Sequence, residues 1–226
     1  MIKRFFIEKI SGYFPFSFTN DQQNALEKIV DFLFSEIGDQ IFLLSGYAGT
    51  GKSSLIGSLV KTMSEFGQKT VLLAPTGRAA KVFSNYSEQQ TYTIHKKIYR
   101  QQKFAEGTPL FSLTDNLHKH TLFIVDEASM INNESFDFSI FGTGRLLDDL
   151  IEYVYSAEGC RMLLIGDNAQ LPPVKQEYSP ALEKDVLQSY SLQVTEATLT
   201  EIVRQTEESG ILCNATALRN ALRFHL

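Results

Sequence analysis

Cysteine is scarce in this chain, basic residues are outnumbered, and no apolar run is long. Only two of the 226 residues are cysteine, Cys160 and Cys213, far apart and with no metal-ligand pattern near either. That pattern argues against a disulfide framework or a cysteine metal site, and the thiols read as those of a reducing, cytoplasmic compartment. Lysine and arginine total 21 against 26 aspartates and glutamates, a net charge of −5. Overall charge therefore cannot draw nucleic acid to this chain, which leaves only a local basic groove for such a role. No stretch approaches the roughly 20 apolar residues of a membrane helix. The basic, apolar start is interrupted by Glu8 and Lys9 too early for a secretory signal. Internal repeats and low-complexity segments are absent too. A soluble intracellular protein with no membrane partner is expected. Its length suits one large domain or two small ones, and 43% hydrophobic residues suffice for a full core.

The most informative stretch spans residues 41–54. Ile41-Phe42-Leu43-Leu44 is a short apolar run that reads as a buried strand. It runs into Gly46-Tyr47-Ala48-Gly49-Thr50-Gly51-Lys52-Ser53, which fits the P-loop pattern G-x-x-x-x-G-K-[ST]. Leu55, Ile56, Leu59, Val60 and Met63 follow at helical spacing. Phosphate oxygens need several backbone N–H donors converging on one point, and glycine lets the backbone turn and approach that closely. The helix beginning near Lys52 adds free N–H groups and a positive dipole end. Gly46, Ala48, Gly49, Thr50, Gly51, Lys52, Ser53 and Ser54 form the expected cradle, with Lys52 as a cation for the β- and γ-phosphates and Ser53 as a hydroxyl for Mg²⁺.

Elsewhere the chain alternates apolar strands with helical patterns. Thr19, Asp21 and Gln22 open a helix whose apolar face is Leu26, Ile29, Val30 and Leu33. Further strands are expected at 70–74, 121–125 and 161–165, with two more short ones at 192–195 and 199–203. Short or amphipathic helices are expected after Pro75-Thr76-Gly77, at 94–99, at 145–155 and at 211–222. The irregular segment 100–119 reads as an inserted hairpin or loop. Continuous apolar strands alternating with helices imply an α/β fold, a mostly parallel sheet with helices on both faces. Ligands in such folds bind at the carboxyl ends of the strands, where the polar motifs fall.

Asp126-Glu127 ends the 121–125 strand. Adjacent acids there reach one edge while pointing differently, so Asp126 suits Mg²⁺ and Glu127 suits activation of a water. Gly166-Asp167-Asn168-Ala169-Gln170-Leu171-Pro172-Pro173 ends the 161–165 strand. Gln170 carries a donor and an acceptor, enough to contact a phosphate and a water together; read alone, the segment is equally an ordinary turn.

In order, these residues resemble the superfamily 1 helicases, in particular their RecD-like and Dda-like group. The matching pieces are Phe18-Thr19-Asn20-Asp21-Gln22, the P-loop, Ala74-Pro75-Thr76-Gly77-Arg78-Ala79-Ala80-Lys81, Thr93-Ile94-His95, Val125-Asp126-Glu127-Ala128-Ser129-Met130, the Gly166 to Pro173 segment, and Leu199-Thr200-Glu201-Ile202-Val203-Arg204-Gln205. The resemblance implies a RecA-like P-loop NTPase domain that uses ATP and Mg²⁺. It implies that Gln22 hydrogen-bonds the adenine and that Gln170 and Arg204 contact the γ-phosphate. It implies that Pro75, Thr76, Arg78, Thr93 and His95 line the path of single-stranded DNA. The insertion at 100–119 stands where that group carries a strand-separating hairpin, and Phe104 or Phe111 would stack on a base there or pack the loop onto the core. ATP-driven 5′-to-3′ translocation with duplex unwinding is the implied activity, with replication or recombination proteins as partners. Such helicases have two RecA-like domains, and this chain is expected to hold the first alone. An alternative function is a nucleotide-dependent DNA-binding or regulatory subunit of a RecD-type recombination nuclease.

Overall fold

The computed structural model describes residues 1–102, 110–135, 139–174 and 176–203. The strands are β1 (Gln40–Gly46), β2 (Lys69–Ala74), β3 (Thr91–Thr93), β4 (Tyr99–Gln101), β5 (Phe111–Leu113), β6 (Thr121–Val125), β7 (Arg161–Gly166) and β8 (Gln193–Leu199). The helices are α1 (Ile2–Tyr13), α2 (Asn20–Leu33), α3 (Lys52–Glu65), α4 (Gly77–Ser87), α5 (Ile94–Ile98), α6 (Leu146–Tyr155) and α7 (Lys184–Ser189). Six strands form one sheet in the order β3-β2-β6-β7-β1-β8, with every pair parallel. The expected parallel α/β sheet is what the chain builds, because parallel neighbours need a crossover and each crossover brings a helix onto a face.

Alternation along β1 assigns the faces. Ile41 and Leu43 join α5, α6 and α7 in one core, and Phe42 and Leu44 join α1, α2, α3 and α4 in the other. All seven residues of β1 are buried. β7 lies between β1 and β6, with Leu44 opposite Ile165 and Ile124 opposite Leu163. Three motif-bearing strands therefore end side by side on one edge.

Some elements differ from expectation. The two short strands expected at 192–195 and 199–203 are one strand, β8, paired to β1 along its full length from Gln40–Gln193 to Gly46–Leu199. Thr91–Thr93, which leads into α5 as expected, is also an edge strand of the sheet, with Ala74 opposite Thr93. Helix α1 was not anticipated, although Phe6 and Ile10 stand four apart and both bury. The inserted segment does form an antiparallel stem, Tyr99–Leu113 to Gln101–Phe111. The loop at 139–144 extends that stem, since the Phe111 N–H donates to the Ile140 carbonyl and the Gly142 N–H to the Phe111 carbonyl, each at 2.8 Å. Asp149 anchors this loop from α6. Its carboxylate, 1% exposed, accepts from the Tyr99 hydroxyl at 2.6 Å and from the Thr143 N–H and hydroxyl at 3.0 and 2.8 Å. The helical pattern at 211–222 lies outside the described residues.

Candidate nucleotide and nucleic-acid site

β1 carries Gly46 to the carboxyl edge and α3 starts at Lys52. Between them the Thr50 N–H and hydroxyl both donate to the Tyr47 carbonyl, at 3.3 and 2.8 Å, which closes a tight turn. Gly46 faces β8 so closely that a Cβ would lie 2.8 Å from the Leu199 carbonyl. Gly51 is left-handed at φ +86°, and a Cβ there would meet Gln22 Nε2 at 2.4 Å. The Lys52 ammonium donates to the Gly46 and Tyr47 carbonyls at 2.5 and 2.9 Å, so the cation is held over the start of the loop. Ala48 and Ser53 are exposed, and Ser54 lies in the first turn of α3.

Gln22 lies behind the P-loop, bonded to the chain. It is 1% exposed, its Nε2 donates to the Thr50 carbonyl at 2.9 Å, and its Oε1 accepts from the Thr19 N–H at 3.0 Å. Thr19 answers by accepting from the Gln22 N–H, which completes a capping box at the start of α2. Both ends of the amide thus have protein partners, one of them the P-loop backbone at Thr50.

Asp126 and Glu127 follow β6, two strands away from the P-loop strand. Asp126 is half-buried; its Oδ1 accepts from the Glu127 N–H at 2.9 Å and its Oδ2 from the Tyr86 hydroxyl at 2.7 Å. Burial pushes its carboxyl up, and the Tyr86 and Glu127 hydrogen bonds and the Lys52 charge only partly oppose this. Glu127 sits in the left-handed region at φ +55°, a cost that non-glycine residues accept where surrounding structure imposes it. Its carboxyl is raised by burial and then by the Asp126 charge, against a hydrogen bond from Gln170 and the pull of Lys52. Gln170 leaves β7 on the intervening strand and its Oε1 accepts from the Ser129 hydroxyl at 3.2 Å. Lys52, Asp126, Glu127 and Gln170 therefore meet at one place, although 118 positions separate the first from the last.

At the other end of the same edge, Thr76 and Thr93 cap α4 and α5. Their hydroxyls accept from the Ala79 and Lys96 N–H groups at 3.2 and 3.3 Å. Pro75 is half-buried and Arg78 exposed. His95 is half-buried, with its ring 5.0 Å from Phe141 and 5.6 Å from Tyr99, and burial lowers its pKa so that it is neutral at physiological pH. Phe141 in turn stacks on Phe111 at 4.7 Å. An open cavity of about 330 Å³ lies here, lined by His95, Tyr99, Ile140 and Phe141 among others. Arg78, Lys81, Lys96, Lys97 and Arg100 all lie on α4, α5 and the hairpin stem. Phe104 and Arg204 lie outside the described residues. The segment leading to Arg204 is tied to the site, however: the Val203 N–H donates to the Gly49 carbonyl at 3.0 Å, and the Thr200 N–H donates to Asp21 at 2.8 Å.

Sequence reasoning missed Tyr86, Ser129 and Phe141. Ser129 was legible in Asp-Glu-Ala-Ser-Met, but nothing in the sequence marked its partner. No local signal could have pointed to Tyr86 or Phe141, because each gains its role only through a neighbour distant in sequence.

A family model described as an AAA domain matches residues 17–221. The chain is 31% identical over 142 residues to the ATP-dependent RecD2 DNA helicase of Deinococcus radiodurans, covering 61% of this chain and 17% of that protein. It is 30% identical over 135 residues to the ATP-dependent DNA helicase Dda of phage T4, covering 58% and 28% respectively. Among solved structures, Pif1 helicase from Candida albicans superposes with a TM-score of 0.56 at 19% identity, over 90% of this chain and 44% of that one. Pif1 helicase from Bacteroides, in complex with ADP-AlF3 and ssDNA, gives 0.51 at 20% identity, over 87% and 45%. The chain spans less than half the length of the curated relatives it matches.

Proposed function

Because the chain belongs to the AAA domain family, as a RecA-like motor domain of superfamily 1 helicase type, we propose that it hydrolyses ATP and couples this to 5′-to-3′ movement on single-stranded DNA. The observation that carries this reading is the convergence of the glycine cradle, Lys52, the exposed Ser53 hydroxyl, half-buried Asp126 and the Glu127–Gln170 pair at one sheet edge. That edge is where open α/β sheets take their ligands.

The donor set fits Mg²⁺. Among the described residues no group of three or more His, Cys, Asp or Glu side chains could hold a metal by itself. A nucleotide-borne Mg²⁺ needs only one or two protein oxygens and completes its shell with phosphate and water. Ser53 and Asp126 would hold it, and Asp126, raised by burial, is an acid that gains from a cation. Bound there, the ion would neutralise charge developing on the β- and γ-phosphates. The protein's own part is clearer still. Loop N–H groups and Lys52 orient the phosphates. Glu127 in its carboxylate form accepts the proton of the attacking water. Gln170 bonds Glu127 and can report whether a γ-phosphate is present.

Single-stranded DNA would run over the amino ends of α4 and α5, past Pro75, Thr76, Arg78, Thr93 and His95, with bases against the His95–Phe141 aromatic group. Phosphate contacts of this kind give position and salt dependence rather than sequence choice. Gln22 supports the P-loop in this reading, and Arg204 completes the γ-phosphate contacts. Duplex unwinding is proposed for the longer architecture that the relatives have. The test is calorimetry of ATP against the chain with and without Mg²⁺, followed by phosphate release with and without a single-stranded oligonucleotide. Mg²⁺-dependent binding and slow hydrolysis are expected; a chain that binds no nucleotide would refute the reading.

A further inference from the structure

Tyr86 has no part in the mechanism above, yet its hydroxyl is bonded to Asp126, one of the two residues proposed to hold the metal. It lies near the end of α4, with its ring stacked on fully buried Phe83 at 5.0 Å and 23°. Its backbone carbonyl abuts Gly57 of α3, where a Cβ would come within 2.9 Å. The ring is therefore fixed by packing between α3 and α4. Its hydroxyl donates to Asp126 Oδ2 at 2.7 Å. One phenol thus ties α4, packed on the P-loop helix, to the acid at the end of β6.

We infer that Tyr86 is a positioning residue for the metal end of the nucleotide site, its hydroxyl donating to Asp126 Oδ2 and fixing that carboxylate. An ionised carboxylate only accepts, so a fixed donor on one oxygen sets where its other lone pairs face. Those of Asp126 are then presented to a divalent cation arriving with the nucleotide. Hydrogen-bond partners of this kind set the orientation of metal ligands and typically matter 10- to 100-fold in metal affinity or activity, so roughly tenfold is expected for one such hydroxyl. The inference rests on the nucleotide reading of the same site.

The experiment uses the 226-residue chain, ADP, and Mn²⁺ as a paramagnetic probe of the Mg²⁺ position. Tyr86→Phe keeps the ring on Phe83 and removes only the hydroxyl. Free Mn²⁺ is read by its EPR signal in titrations of the protein–ADP complex, and ADP affinity is measured by calorimetry with and without Mg²⁺. In the variant, Mn²⁺ is expected to bind about tenfold more weakly, and the ratio of ADP affinities with and without Mg²⁺ to fall by a similar factor. General structural damage would weaken ADP binding in both conditions and leave that ratio intact, which would overturn the inference. Equal Mn²⁺ affinity in wild type and variant would also overturn it while leaving the nucleotide reading standing. A wild-type chain that holds no ADP would overturn both. Tyr86→Leu, which keeps an apolar side chain against Phe83, should repeat the Tyr86→Phe result.

Discussion

Replacing Gly51 by alanine tests whether Gln22 is a brace for the P-loop. Two costs arise from the geometry. At φ +86° an alanine is strained, by about 1–2 kcal/mol. Its Cβ would also fall 2.4 Å from Gln22 Nε2. An exposed glutamine would swing away at little cost, but Gln22 is 1% exposed and bonded at both ends, to the Thr50 carbonyl and the Thr19 N–H. Displacing it leaves a buried polar group unpaired, which costs about 1–3 kcal/mol. The sum is about 2–5 kcal/mol. For a domain of this size each kcal/mol lowers Tm by roughly 2–4 °C, so a central loss of about 3 kcal/mol corresponds to about 6–12 °C. Urea unfolding of wild type, Gly51→Ala, Gln22→Ala and the double variant forms the assay. With Gln22 truncated the clash vanishes and only backbone strain remains, so the double variant should be about 1–3 kcal/mol more stable than the sum of the singles. A Gly51→Ala cost below about 1 kcal/mol, or strict additivity, would refute the bracing role.

Lys52→Ala should weaken ATP binding about 10- to 100-fold by calorimetry, since hydrogen bonds to a charged group contribute about 1.5–3 kcal/mol; unchanged affinity would count against the cradle. Glu127→Gln should keep ATP binding and lose about 10²- to 10⁴-fold in hydrolysis, the range for a general base. Because Glu127 is raised by burial and by Asp126, wild-type hydrolysis should fall with decreasing pH at higher pH than an exposed glutamate would give. The same direction governs stability: the folded chain holds this proton more tightly, so the favourable contribution exists at low pH and is lost as pH rises through the raised value. Glu127→Gln should therefore melt no lower than wild type at neutral pH, and a marked drop in its Tm would contradict the assigned environment. Substituting Arg78 and Lys81 together by alanine should weaken single-stranded DNA binding and reduce the salt slope by about 1.4, at ~0.7 per lost phosphate contact; an unchanged slope would put the DNA elsewhere. With unwinding proposed for the longer architecture of the relatives, a strand-displacement assay on a tailed duplex should find none by these 226 residues alone. Robust unwinding by this chain would overturn that view.

The sequence by itself determined the phosphate chemistry and the class of fold. The P-loop is contiguous, and its glycines, lysine and hydroxyl act through positions fixed by a single strand-to-helix turn, so spacing alone reveals them. Strand runs such as Ile41-Phe42-Leu43-Leu44 declare themselves because a strand covered on both faces must be apolar throughout. Even Asp126-Glu127 and Gln170 were visible as polar ends of apolar runs. What only the tertiary structure decided is which of these meet. The placement of β7 between β1 and β6 brings Gln170 onto Glu127, and strand order is set by how helices cross and pack, which no local pattern encodes. Gln22 makes the same point: its position on α2 was legible, but its burial and its bond to the Thr50 carbonyl depend on a loop 28 residues away. Tyr86 is the extreme case. It sits in a stretch with no motif, and only the packing of α4 against α3, with Phe83 beneath its ring, carries its hydroxyl to Asp126.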